Sequence, residues 1–150
     1  MSQCWKSMRV LVVEDDVLAA MALVDHLHAL GAEVIGPVAD INRALQLAQH
    51  AQLSGAILDV NIHGGETWPV AGILIARDIP IVFATGSSHT QDAASFANVP
   101  WFTKPYDPAA VTDALLTRIT AAARPDPASD DVDLLMGSYC CSPMRTLMAV

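Results

Sequence analysis

The sequence predicts an α/β fold: a parallel sheet of five strands with helices on both faces. Two observations carry this. Five short apolar runs, residues 10–13, 33–35, 56–58, 81–84 and 99–102, are rich in Val and Ile, and most are bounded by Gly, Pro, Asp or Asn, as buried strands are. Stretches of helical periodicity separate them, so strand and helix alternate five times.

The elements follow in order. After the first run, residues 16–30 place Ala20, Leu23, Val24, Leu27 and Leu30 on one stripe, and Gly31 stops the helix. Asp16 suits the N-cap. Asp40 caps a second helix carrying Ile41, Ala44, Leu45 and Ala48. Thr67 is expected to cap a third, with Pro69 tolerated in its first turn. The fourth helical stretch, "GSSHTQDAASFANVP", offers only Ala93, Ala94, Phe96 and Ala97 as an apolar face, so a short or mobile helix is expected there. Asp107 followed by Pro108 reads as N-cap and N1 of the last helix, which continues through Val111, Ala114, Leu115, Arg118 and Ile119. Beyond Ala123 the pattern dissolves into "RPDPASDDVD", a turn-rich acidic linker, and a tail without period. The expected division is one domain over 8–122 and a linker with a loosely ordered tail over 123–150.

Composition narrows the function. The chain has 150 residues, 53% of them apolar, enough for one packed core. A formal charge of −8 disfavours binding to nucleic acid or to anionic membranes, and leaves room for a cation where acids converge. No apolar run is long enough to span a bilayer, and "MSQCWKSM" lacks a signal core, so a cytosolic setting is the expectation. Cys4, Cys140 and Cys141 suggest no disulfide framework, and the five scattered histidines suggest no zinc site.

The polar residues that follow the apolar runs are ordered. Run one ends in Glu14, Asp15 and Asp16, run three in Asp59, run four in Thr85, and run five in Thr103 and Lys104. In an open parallel sheet, ligands bind beyond the carboxyl ends of the strands, where strand order reverses. In a flavodoxin-like doubly wound (βα)5 sheet of order 2-1-3-4-5, Asp15 and Asp59 face each other across that point, with Glu14 nearby. Three carboxylates repel unless a cation intervenes. A hard divalent ion such as Mg²⁺ fits oxygen ligands and a phosphate. Lys104 adds a point charge and Thr85 a hydroxyl for an oxyanion.

With "VVEDD", the Asp59 strand end, "ATG" and "KPY" in this order and spacing, the chain resembles the receiver domains of two-component response regulators over about residues 8–122. "FATG" (83–86) is similar to a subset of receivers that often stand alone. The resemblance implies that Asp59 is the phosphoacceptor. It implies that Asp15 ligates Mg²⁺ directly, Glu14 through water, and Asn61 through its backbone carbonyl, with Asp59 also in the metal shell. It makes Thr85 the switch hydroxyl, Lys104 the lysine that pairs with the phosphate, Trp101 the switch aromatic, and Pro105 a cis-proline candidate. His63 stands where many receivers carry proline, and Gly64, Gly65 and Glu66 follow it.

The function this implies is Mg²⁺-dependent transfer of a phosphoryl group to Asp59 from a sensor histidine kinase or histidine phosphotransferase. The transfer would switch a surface that binds an unidentified downstream protein. No enzyme activity is expected beyond self-phosphorylation and autodephosphorylation. Fewer than about thirty residues follow the domain, too few for an output domain. Two alternatives stand beside this. One is a receiver-like binding module that is not phosphorylated. The other is a Mg²⁺-dependent aspartyl phosphohydrolase, against which Asn61 counts, because an acid is expected two residues after the nucleophile.

Overall fold

The computed structural model describes residues 5–86 and 96–123. Its element order is β1 (Arg9–Val13), α1 (Val17–Leu30), β2 (Glu33–Val38), α2 (Ile41–His50), β3 (Gly55–Leu58), β4 (Asn61–Ile62), β5 (Gly65–Glu66), α3 (Trp68–Ala76), β6 (Ile81–Thr85), β7 (Trp101–Thr103) and α4 (Pro108–Ala123). Five strands form one parallel sheet in the order β2-β1-β3-β6-β7. Counted within that sheet alone, this is the expected 2-1-3-4-5 order. The two extra strands, β4 and β5, form a small antiparallel hairpin after β3, additional to the five expected strands.

β3 and β6, and β1 beyond Arg9, are buried because helices cover both faces. Alternation along each strand divides the core in two. Leu11, Val13, Ala56, Leu58, Ile81 and Phe83 pack with Ala44 and Ala48 of α2 and Val70, Ala71 and Leu74 of α3. Val10, Val12, Ile57, Val82 and Ala84 pack with Leu23 and Leu27 of α1 and Val111, Leu115 and Leu116 of α4, and Trp5 joins this second cluster.

Caps form as the side chains dictate at three helices. Asp16, Asp40 and Asp107 accept from backbone N–H groups in the first turns of α1, α2 and α4. Gly31 closes α1 at φ +96°, a left-handed conformation that favours glycine. Of the stripe expected on α1, Ala20, Leu23 and Leu27 are buried, whereas Leu30 is 38% exposed at the helix end. The expected fourth helix and the tail lie outside the described residues, apart from a turn closed by the Val99 N–H donating to the Phe96 carbonyl.

Register positions the site. β1 pairs Val13 with Leu58 of β3, and β3 pairs Leu58 with Phe83 of β6. The residues after Val13 and Leu58 therefore emerge side by side. Thr85 pairs with Thr103 of β7, so Lys104 emerges on the same edge.

Candidate functional site

The three acids after β1 have three different environments. Asp16 caps α1, as above. Glu14 turns inward and is 3% exposed. Its N–H donates to the Val38 carbonyl at 2.9 Å, extending the β1–β2 pairing. Its Oε1 accepts from the Asp16 N–H at 3.0 Å and from Lys104 Nζ at 2.8 Å. Asp15 is half-buried, and its Oδ2 lies 3.9 Å from His63 Nε2.

Asp59 is 5% exposed. Its N–H donates to the Val13 carbonyl at 2.8 Å, which ties the end of β3 to the end of β1. Its Oδ1 accepts from the Asn61 N–H at 3.3 Å and its Oδ2 from Lys104 Nζ at 3.0 Å. Lys104 thus bridges Glu14 and Asp59. Carboxylate oxygens of Glu14, Asp15 and Asp59 all lie within 4.8 Å of one another. Thr85 is fully buried at the end of β6, and its carbonyl accepts from the Lys104 N–H at 3.0 Å. The Lys104–Pro105 bond is cis.

The electrostatics follow from this crowding. Burial pushes the Glu14 carboxyl up to about 7; the Lys104 ammonium pulls against this, and neighbouring Asp59 adds to it. Burial also works against the charge of Lys104, but its bonds to Glu14 and Asp59 outweigh that and hold it above the ordinary lysine range. Three carboxylates against one ammonium leave the pocket short of positive charge. All the donors are hard oxygens, so the residues fit a small divalent cation such as Mg²⁺.

Trp101 is half-buried in an aromatic cluster rather than at the acids. Its ring centroid lies 5.2 Å from Phe83 and 6.3 Å from Trp68, and Trp68 stacks on Phe96 at 5.4 Å.

Two residues around the site escaped the sequence reading. Thr67 stands at the N-cap position of α3, as expected, but its side chain makes no cap hydrogen bond. Its Oγ1 instead donates to the Asp59 carbonyl at 2.7 Å, and its N–H to the Val60 carbonyl at 2.8 Å. The helix therefore forgoes a cap bond usually worth about 1 kcal/mol. A threonine before an apolar helical stretch signals a cap, and nothing local signals the longer-range use. Tyr106 closes the "KPY" motif, which assigns it no role. Its Oη is buried and has no hydrogen-bond partner among the described residues. Burial, then the nearby Glu14 charge, pushes its hydroxyl up to about 12.

A groove lined by Ile75, Asp78, Ile79, Pro80, Arg118, Ala121 and Ala122 opens at the amino end of β6. It lies at the opposite edge of the sheet from Glu14, Asp15 and Asp59 and includes none of the site residues.

No protein-family model matches the chain, and no curated protein is similar to it in sequence. Solved structures are. SdrG from Sphingomonas melonis Fr1 is 37% identical, with a TM-score of 0.64 over 80% of this chain and 99% of that chain. The BeF3-activated conformation of SdrG aligns at 41% identity and a TM-score of 0.58, over 77% of this chain and 99% of that one. The signal receiver domain of a modulated diguanylate cyclase from Desulfovibrio desulfuricans G20 is 27% identical, with a TM-score of 0.68 over 76% of this chain and 94% of that chain. The receiver domain of the sensor histidine kinase PA1611 from Pseudomonas aeruginosa PAO1, solved with a magnesium ion coordinated in its active site cleft, is 22% identical. Its TM-score is 0.65, over 75% of this chain and 98% of that chain.

Proposed function

Because this chain belongs to the receiver domains of response regulators, we propose that it is a single-domain phosphorylation switch whose phosphoacceptor is Asp59. One observation carries the reading. Three buried or half-buried carboxylates from two adjacent strand ends converge within 4.8 Å, and one lysine bridges two of them. A structural core has no use for so much negative charge in one crevice, whereas a site that holds a cation and a phosphoryl group needs it.

The chemistry is in-line displacement at phosphorus. An oxygen of the Asp59 carboxylate attacks the phosphorus of a phosphohistidine or an acyl phosphate. A new O–P bond forms, the bond to the imidazole nitrogen or carboxylate breaks, and that group departs with the electron pair. Lys104, already 3.0 Å from Asp59, moves its charge onto the incoming phosphoryl oxygens. The Asn61 N–H on Oδ1 leaves Oδ2 as the oxygen that trades its bond to Lys104 for the new one. Asp15, Asp59 and the Asn61 carbonyl would hold Mg²⁺ directly, and Glu14 would hold it through water. When bound, the ion neutralises charge on the transferring group. A magnesium-bearing receiver neighbour and the BeF3-activated form of SdrG support this reading. After transfer, Thr85 engages the phosphoryl group, and Trp101 repacks in its aromatic cluster. Water later hydrolyses the acyl phosphate. The chain catalyses nothing else.

The donor is a sensor histidine kinase or histidine phosphotransferase, in a cytosolic setting, and the recipient of the switched surface is another protein. Any macromolecular donor that reaches Asp59 must cover the rim of the site. Val17, Leu18 and Met21 on the first turns of α1 are 68%, 80% and 54% exposed and form an apolar shoulder there.

The test is intact-protein mass after incubation with acetyl phosphate, with and without Mg²⁺, for the wild type and Asp59→Ala. A single phosphoryl adduct that requires both Mg²⁺ and Asp59 is expected. An adduct that persists in Asp59→Ala, or neither adduct nor Mg²⁺ binding in the wild type, sinks the proposal.

A further inference from the structure

We propose that Thr67 is a positioning residue for phosphoryl transfer, holding the backbone that presents Asp59 and Asn61; this rests on the reading of Asp59 as phosphoacceptor. The observation is a conflict between local preference and structure. Thr67 sits at the N-cap of α3, yet it makes no cap bond. Its hydroxyl reaches back eight residues to the carbonyl of Asp59 at 2.7 Å, and both residues are buried. Its N–H takes the next carbonyl, that of Val60, at 2.8 Å. One residue thus secures two consecutive carbonyls at the point where β3 leaves the sheet.

That point needs an anchor. The Asp59 N–H still bonds to β1, but the pairing between β3 and β6 ends at Leu58 and Phe83. The chain then turns into the β4–β5 hairpin, which pairs Asn61 with Glu66 and Ile62 with Gly65 and delivers Thr67 opposite its start. The far side of the hairpin is tied down as well. The His63 N–H donates to the Ala39 carbonyl at 3.1 Å, and the His63 carbonyl accepts from the Ile41 N–H at 3.0 Å. The hairpin is therefore a closed loop whose latch is Thr67. Rotation of the Asp59 or Val60 peptide would swing both the carboxylate and the Asn61 carbonyl that follows. A buried carbonyl accepts a bond from a hydroxyl but not from a methyl group, so Thr67→Val removes the latch at nearly constant volume. Sites that depend on alignment lose rate steeply for small displacements. Local rules fail most often where function imposes its own geometry.

The experiment uses the whole chain and acetyl phosphate, with adduct formation followed by mass, and compares wild type, Thr67→Val, Thr67→Ala and Thr67→Ser. Melting curves first establish which variants are fully folded at the assay temperature. For folded Thr67→Val we expect a maximal rate lower by about tenfold or more. The concentration of Mg²⁺ for half-maximal rate should rise by about tenfold, as when a supporting partner of a metal ligand is lost. The half-saturating acetyl phosphate concentration should stay unchanged, and Thr67→Ser, which keeps the hydroxyl, should behave as wild type. A folded Thr67→Val or Thr67→Ala with wild-type rate and Mg²⁺ dependence overturns the proposal. So does unfolding of both variants, with only Thr67→Ser folded, which assigns the hydroxyl to stability instead. A wild type that forms no adduct and binds no Mg²⁺ is the separate failure of the phosphoacceptor reading, and the positioning role falls with it.

Discussion

Replacing Lys104 by Met should destabilise the metal-free protein in a pH-dependent way. Lys104 Nζ is 2.8 Å from Glu14 and 3.0 Å from Asp59, and these carboxylates are 3% and 5% exposed. Removing one partner of a buried ion pair costs about 3–5 kcal/mol. The Lys104 side chain is 21% exposed, so some of its charge is solvated and the lower end, about 3 kcal/mol, applies at pH 8. Glu14 sets the sign. Its folded pKa, about 7, lies above the ordinary 4.5, so its contribution to stability is fully present below pH 4.5 and is lost as pH rises through 7. The bond from Lys104 lowers that pKa, so without Lys104 it moves higher and the loss deepens at alkaline pH. The gap between wild type and Lys104→Met should be small near pH 5 and widest near pH 8–9. For a body of this size it amounts to about 12 °C in melting temperature at pH 8. Mg²⁺ should narrow it by supplying the missing positive charge. Thermal unfolding by circular dichroism in chelator, then in excess Mg²⁺, over pH 5–9 measures all of this. A variant as stable as wild type at pH 8, or a gap that does not change with pH, refutes the reasoning.

Three further outcomes are expected. Leu18→Asp should slow phosphotransfer from a histidine kinase about tenfold or more while leaving labelling by acetyl phosphate unchanged, because the 80% exposed Leu18 would be covered by the proposed macromolecular donor and is not reached by a small one; equal slowing with both donors would count against a docking role. Gly64→Ala should cost about 1–3 kcal/mol in urea unfolding, since Gly64 has φ +95° and an added Cβ would stand 2.6 Å from Ile41 Cγ2. Tyr106→Phe should be neutral or stabilising by about 1 kcal/mol, because it removes a buried hydroxyl with no partner among the described residues. The tyrosine's folded pKa of about 12 lies above its ordinary 10, so wild type should lose stability between pH 10 and 12 while Tyr106→Phe is spared that part of the loss, as unfolding curves at those pH values would show.

Much of this molecule was legible locally. Val and Ile runs mark strands because β-branched side chains fit a pleated surface buried on both sides. Asp16, Asp40 and Asp107 cap helices because each reaches a backbone N–H only two or three residues away. The order in which Glu14, Asp15, Asp59, Thr85 and Lys104 follow the strands is also sequence information. Once the sheet is parallel, all of them must emerge at one edge.

Only the tertiary structure decided how those groups meet. Strand register sets Asp59 beside Glu14, and register depends on pairing across the whole sheet. Lys104 bridges residues 90 and 45 positions away, which no local pattern encodes. The carboxyl of Glu14 keeps its proton to about pH 7 because of burial, a property of the surroundings and not of glutamate. Thr67 shows the boundary most clearly. Its local preference was for its own helix, and the returning hairpin offered its hydroxyl a buried carbonyl instead. A buried carbonyl without a partner is costlier than a helix end without a side-chain cap, so the distant bond prevails.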